Sequence, residues 1–110
     1  LLERHHCNLC DISTTSVLRA SHIKEWAESS KEERIDANNG LLLCANHDAL
    51  FDRHLISFEP DTGNICISAS IDDDQRNALN LSKSARISMN DRMKAYMQIH
   101  YKKFIEKENQ

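Results

Sequence analysis

Aromatic side chains are scarce in this chain, at 5% of 110 residues. A core with so few rings is modest, and a core that small often needs a staple such as a bound metal. Long apolar runs are missing, and the mean hydropathy is −0.59, so no membrane span and no membrane partner are expected. Nothing at the start of the chain has the pattern of a signal peptide. A basic excess is also lacking: 14 Lys and Arg stand against 17 Asp and Glu, for a net charge of −3. That balance argues against a nucleic-acid partner held by bulk charge alone. There is no internal repeat and no low-complexity tract. The single proline and the two glycines fall in Asn38-Asn39-Gly40 and Pro60-Asp61-Thr62-Gly63, which read as turns.

The length suits one small domain. The chain starts at Leu1 without a methionine, and it is read as an excised part of a longer protein with the remainder N-terminal. Charge is uneven along it. The acidic excess lies in Glu25 to Asp36 and in Asp72 to Asp74, whereas Lys83, Arg86, Arg92, Lys94, Lys102, Lys103 and Lys107 gather near the C-terminus. That basic segment reads as a solvated helix face or as a surface that tracks phosphates.

The cysteines are Cys7, Cys10, Cys44 and Cys66. The expected setting is cytoplasmic, where cysteines serve metals more often than disulfides. Cys66 lies in the alternating run Ile65-Cys66-Ile67 and reads as a buried free thiol. Cys7-Asn8-Leu9-Cys10 forms one knuckle and Cys44-Ala45-Asn46-His47 a second. Structural zinc takes four tetrahedral sulfur and imidazole ligands, so Cys7, Cys10, Cys44 and His47 are the expected set. The alternatives are that only the cysteines bind, or that His5 or His6 is the fourth ligand.

Periodicity supplies the frame. Ser16 to Ile23 and Leu41-Leu42-Leu43 read as two strands, joined by a long polar loop with a helical turn at Lys31 to Arg34. A short helix is expected over about 46–53. A second hairpin is expected from His54–Glu59 and Asn64–Ser70. Asp72-Asp73-Asp74 suits a helix start, and Asn90 suits the cap of a last helix with Met93, Met97, Tyr101, Phe104 and Ile105 on one face. Trp26 reads as packing over the loop and His100 as structural.

Between the knuckles lie a histidine and an asparagine with no place in the zinc set. Cys7-Asn8-Leu9-Cys10, Ser21-His22-Ile23-Lys24-Glu25-Trp26, Asn39-Gly40-Leu41-Leu42-Leu43-Cys44 and His47-Asp48-Ala49-Leu50-Phe51-Asp52 together resemble the HNH endonuclease family, over about residues 4–60. The resemblance implies an α+β fold: a ββα-metal (His-Me finger) core with a structural zinc, here extended over 54–110 by a hairpin and a C-terminal helix. It implies hydrolysis of DNA phosphodiester bonds with Mg²⁺ or another divalent cation, leaving a 3′-hydroxyl and a 5′-phosphate.

Within that resemblance His22 takes the place of the general base, because imidazole exchanges protons near neutral pH. Asn39 orients His22 through the loop or braces the hairpin. Many members carry a second histidine directly after the knuckle; here Asp48 stands there, and a carboxylate is a competent Mg²⁺ ligand. Many carry an aspartate before the base; here it is Ser21, which would bind a cation weakly or through water. Asp52 and His54 rank behind these. The wording of the motifs implies the cutting module of a restriction or defence enzyme. Specificity would then reside in an N-terminal targeting domain. A double-strand cut would need a homodimer or two binding events. The competing readings are a zinc-supported binding module without chemistry, and a degenerate nuclease kept for interaction.

Overall fold

A computed structural model describes residues 5–110. Strand β1, Leu18–His22, pairs antiparallel with β2, Gly40–Cys44, with Leu18 opposite Cys44 and His22 opposite Gly40. β1 is shorter than its sequence suggests, because Thr15–Val17 closes a 3₁₀ turn. Side chains alternate across a strand. Ser21 therefore shares a face with Leu41 and Leu43, all buried, while His22 shares the other with Ala20 and Gly40.

The loop between the strands is built, not loose. Trp26–Glu28 and Ala37–Asn39 are 3₁₀ turns, and α1, Lys31–Arg34, is one helical turn. Ser30 and Glu33 close that turn with a capping box, each side chain meeting the other's backbone N–H.

Helix α2, Ala45–Asp52, follows β2 without a linker. His47, Leu50 and Phe51 are its buried residues, the i, i+3, i+4 spacing of one helix face. Its end is a Schellman motif: the Leu55 N–H donates to the Leu50 carbonyl at 2.9 Å and the His54 N–H to the Phe51 carbonyl at 3.1 Å. His54 occupies the left-handed position with φ of 57°, where a side chain costs about 1 kcal/mol relative to glycine.

Strands β3, Ile56–Phe58, and β4, Ile65–Ile67, form the second hairpin, shorter than the alternating runs that predict it. Segment 85–87 lies along its rim, where Ile65 N donates to Ala85 O and Ile87 N to Gly63 O, each at 3.0 Å. Gly63 has φ of 78°, and a Cβ there would stand 2.1 Å from the Ile87 carbonyl oxygen, so only glycine fits. Helix α3, Asp73–Ala78, and helix α4, Asp91–Glu108, complete the chain.

The Asn90 side chain caps α4 by accepting from Met93 N at 2.9 Å. Met97, His100 and Phe104 are its buried residues, whereas Ile105 is exposed. The stripe is thus narrower than expected: Ile105 is rotated about 100° from Phe104, and His100 fills the core position between Met97 and Phe104. β3 lies against both α2 and α4, and Phe51, Ile56, Phe58 and Met97 are fully buried at this junction. Among the described residues, no helix is long and apolar enough to cross a membrane.

Candidate active site and metal centre

The two knuckles close on one another. The ligand atoms of Cys7, Cys10, Cys44 and His47 all lie within 4.8 Å of one another. Zn–S bonds of about 2.3 Å place sulfur pairs about 3.8 Å apart across a tetrahedron, so a zinc ion fits this donor set with small adjustment. The first knuckle is fastened to the hairpin: Asn8 donates to the Leu42 carbonyl from both its backbone N–H and its side chain, each at 2.9 Å.

His47 presents Nδ1 to the set, 3.3 Å from Cys7 Sγ, while Nε2 donates to the Leu79 carbonyl at 2.7 Å. Such an outer tie fixes the ring and its tautomer. Burial opposes ionisation of Cys7, but the hydrogen bond with His47 and backbone N–H groups outweigh it, and the thiol falls to about 6. Burial, together with the neighbouring Cys7, pushes Cys10 up to about 12. Burial lowers His47, yet the Cys7 contact outweighs it and the imidazole is raised overall. His6 is not part of the set: its Nδ1 donates to the Cys7 and Cys10 carbonyls at 2.7 and 3.2 Å. His5 is exposed.

His22 ends β1 and is half-buried. Its Nε2 lies 3.0 Å from the Arg34 carbonyl oxygen; a carbonyl can only accept, so Nε2 carries the proton and Nδ1 is left as the free base nitrogen. A cleft of about 280 Å³ opens beside it, lined among others by Ala20, Arg34, Ile35, Asp36 and Asn39.

Asn39 is fully buried, and its side chain makes its hydrogen bonds to groups other than His22. Its Oδ1 accepts from Lys24 N at 2.7 Å, and its Nδ2 donates to the Glu33 carbonyl at 3.1 Å and to Ser29 Oγ at 3.4 Å. It therefore sews together both ends of the loop whose Arg34 carbonyl holds His22. The Lys24–Glu33 ion pair at 2.9 Å runs beside this seam.

Asp48 is half-buried in the first turn of α2, and Ser21 is buried on the face opposite His22. Neither lines the cleft. Among the described residues, the Cys7, Cys10, Cys44 and His47 set is the one place where three or more Cys, His, Asp or Glu ligand atoms converge. Asp52 is exposed at the end of α2. Cys66 is half-buried rather than buried, with its thiol raised by burial.

His100, expected to be structural, is a buried core group. Nε2 donates to the Phe51 carbonyl and Nδ1 accepts from Ser57 Oγ, both at 2.7 Å, and the ring stacks on Phe51 with centroids 3.8 Å apart. Burial drives its pKa down to about 3. His54 stacks over His100 at 4.3 Å, its Nε2 unpartnered and 3.6 Å from a Glu25 carboxylate oxygen. Burial holds its pKa below the usual range. A histidine on an apolar stripe was the only signal for this pair.

Comparison with known proteins agrees with this arrangement. No curated protein matches the chain. A family model described as HNH endonuclease matches residues 7–59, from the first zinc-site cysteine through β3. This segment, with its hairpin, its helix and its Cys₃His cluster, is the part of the chain that matches the HNH endonuclease family.

Proposed function

We propose that this domain is a divalent-cation-dependent endonuclease acting on DNA, with His22 as general base. The observation that carries the proposal is the 3.0 Å contact between His22 Nε2 and the Arg34 carbonyl, which leaves Nδ1 free to accept a proton. Nδ1 takes the proton of a water as its oxygen attacks phosphorus. The bond from phosphorus to O3′ then breaks, O3′ leaves with the bonding pair and takes a proton from solvent water, and the products are a 3′-hydroxyl and a 5′-phosphate. Arg34 keeps the imidazole in one tautomer, and Asn39 keeps Arg34 in place.

Asp48, with Ser21 through water, would hold a cation such as Mg²⁺, which when bound supplies charge neutralisation at the phosphate. Mg²⁺ is commonly held by one or two carboxylates together with substrate phosphates. A single Asp48 is compatible with that mode, with binding strong only once DNA is present. The zinc site would be structural, tying both ends of the hairpin. The domain would act as the cutting module of a restriction or other defence enzyme, aimed by a targeting domain elsewhere in that enzyme. One site makes one nick, so a double-strand cut would take a homodimer or two binding events.

The test is nicking of supercoiled plasmid with Mg²⁺, Mn²⁺ or EDTA, with His22→Ala alongside. The expected result is cation-dependent nicking that falls by about 10²- to 10⁴-fold in the variant, with zinc content unchanged. Equal nicking by His22→Ala would remove the base assignment. A zinc-loaded parent inert in every cation would favour the second reading, a silent zinc-supported module. The observation behind that reading is the placement of Ser21 and Asp48 outside the cleft.

A further inference from the structure

We infer that Ile35 is a wedge that enters the stack of a DNA duplex beside the scissile phosphate, with Lys31 and Arg34 gripping the backbone next to it. The inference rests on the nuclease reading above and specifies how that site would engage its substrate.

Ile35 is 86% exposed, against 58% for Trp26 and 39% or less for the other exposed large hydrophobics. An isolated exposed apolar residue is ordinary, but this one is held out by its neighbours. Immediately before it, the Arg34 carbonyl is fixed to His22 and the Arg34 N–H donates to Ser30 O at 2.9 Å. Immediately after it, the Asp36 carboxylate binds Arg92 at 2.6 Å, Tyr96 OH at 2.8 Å and Asn38 N at 2.9 Å. Ile35 therefore stands on a braced ridge, and its side chain lines the same cleft as His22. Apolar wedges that part base steps are a recurrent device of proteins that kink DNA.

Charge identifies the occupant. In sequence the loop is acidic, with Glu25, Glu28, Glu32, Glu33 and Asp36. In the fold four of these five carboxylates are ion-paired, Glu25 and Glu28 sharing Lys103, Glu33 with Lys24 and Asp36 with Arg92, and among the described residues only Glu32 has no ion pair. Lys31 and Arg34, one turn apart on α1, make no ion pair among the described residues. The Arg34 guanidinium is laid over the Trp26 ring at 3.5 Å and steadied by Nε donating to the Trp26 carbonyl at 2.9 Å. The surface around Ile35 thus offers two available cations and one rigid apolar tip, which suits a phosphate chain with a base stack beneath it.

The test compares the zinc-loaded chain with Ile35→Ser on an intact duplex and on the same duplex carrying a two-nucleotide bulge. Because the side chain is exposed, zinc content and circular dichroism should not change. Cleavage of the intact duplex should fall by about tenfold or more, and the bulge, which removes the need to unstack, should restore it to about the parent rate. Equal rates for parent and variant on both substrates, or an equal deficit on both, would overturn the wedge. A second arm uses His22→Ala, which binds without cutting, on a duplex containing several 2-aminopurines. Fluorescence should rise on binding and should not rise for His22→Ala with Ile35→Ser. A rise without cleavage by the parent would sink the hydrolysis and leave the wedge standing. Cleavage without a rise would do the reverse. DNA anisotropy unchanged at low salt for every variant would overturn the wedge and assign the patch to a protein partner.

Discussion

His47 and Leu79 are joined by a 2.7 Å hydrogen bond between imidazole Nε2 and a backbone carbonyl, 32 residues apart. The zinc-site histidine lies within the HNH segment, 7–59, and its brace lies outside it. His47→Cys should keep zinc, since sulfur is a good ligand, but should lose the brace, with zinc affinity reduced by about 10- to 100-fold. Competition with a chromophoric chelator measures this. Affinity equal to the parent would mean that the Leu79 contact is incidental.

Cys7 has no exposed surface, and its Sγ lies 3.3 Å from His47 Nδ1. Cys7→Ser should abolish zinc binding and the cooperative melt together, because metal binding is coupled to folding in domains of this size. An unchanged melting curve would remove the zinc model.

Asn39→Ala leaves Lys24 N–H and the Glu33 carbonyl without their side-chain partner. The expected loss is about 2–4 kcal/mol by urea unfolding, from two or three buried hydrogen bonds. Nicking should fall as well, through the loop rather than through contact with the substrate. A variant as stable as the parent would show that the seam does not hold the loop.

Asp48→Asn should raise the cation concentration for half-maximal nicking by about tenfold or more, since a neutral amide is a poorer Mg²⁺ ligand. Asp48→His should retain activity and shift preference from Mg²⁺ toward Mn²⁺ or Co²⁺, because imidazole suits softer ions. Indifference of the cation titration to both changes would remove Asp48 from the site.

His100 supplies a pH prediction. Its folded pKa is about 3, against 6.5 when free. A depressed pKa gives stability that is complete above pH 6.5 and is lost as pH falls toward 3, because the unfolded chain takes up the proton first. In that window the parent should lose up to about 1.4 kcal/mol per pH unit more than His100→Gln. Acid release of zinc acts on both proteins, so the difference between them isolates His100. Parallel pH curves would show that His100 is not held neutral.

What could be read from the sequence was whatever depends on local spacing. Two knuckles of fixed gap, the alternation around His22 and the i, i+3, i+4 pattern of α2 each name their own partners. Backbone acceptors leave no such trace. Nothing at Arg34 or Leu79 announces that its carbonyl holds a histidine, since every residue has one. His100 could be read as structural, but its partners, Ser57 and the Phe51 carbonyl, lie more than 40 residues away and could not be named. Ile105 was placed on the buried stripe because hydrophobicity alone cannot tell which of two neighbours, Phe104 or Ile105, faces inward. Ile35 was overlooked for the opposite reason: an apolar residue in a charged loop suggests burial, and the fold leaves it in water.

The first turn of α4 reaches the loop that holds His22 directly, through Arg92 on Asp36 and Asn90 Nδ2 on Asn38 Oδ1 at 2.7 Å. This makes α4 a handle on the loop as well as a wall of the core. A torque on the helix, from a fused neighbour or a second copy, would be felt two residues away from Asp36, at the carbonyl that aims His22. The aim of that imidazole is thus tied to the placement of α4, with nothing needed in the cleft itself.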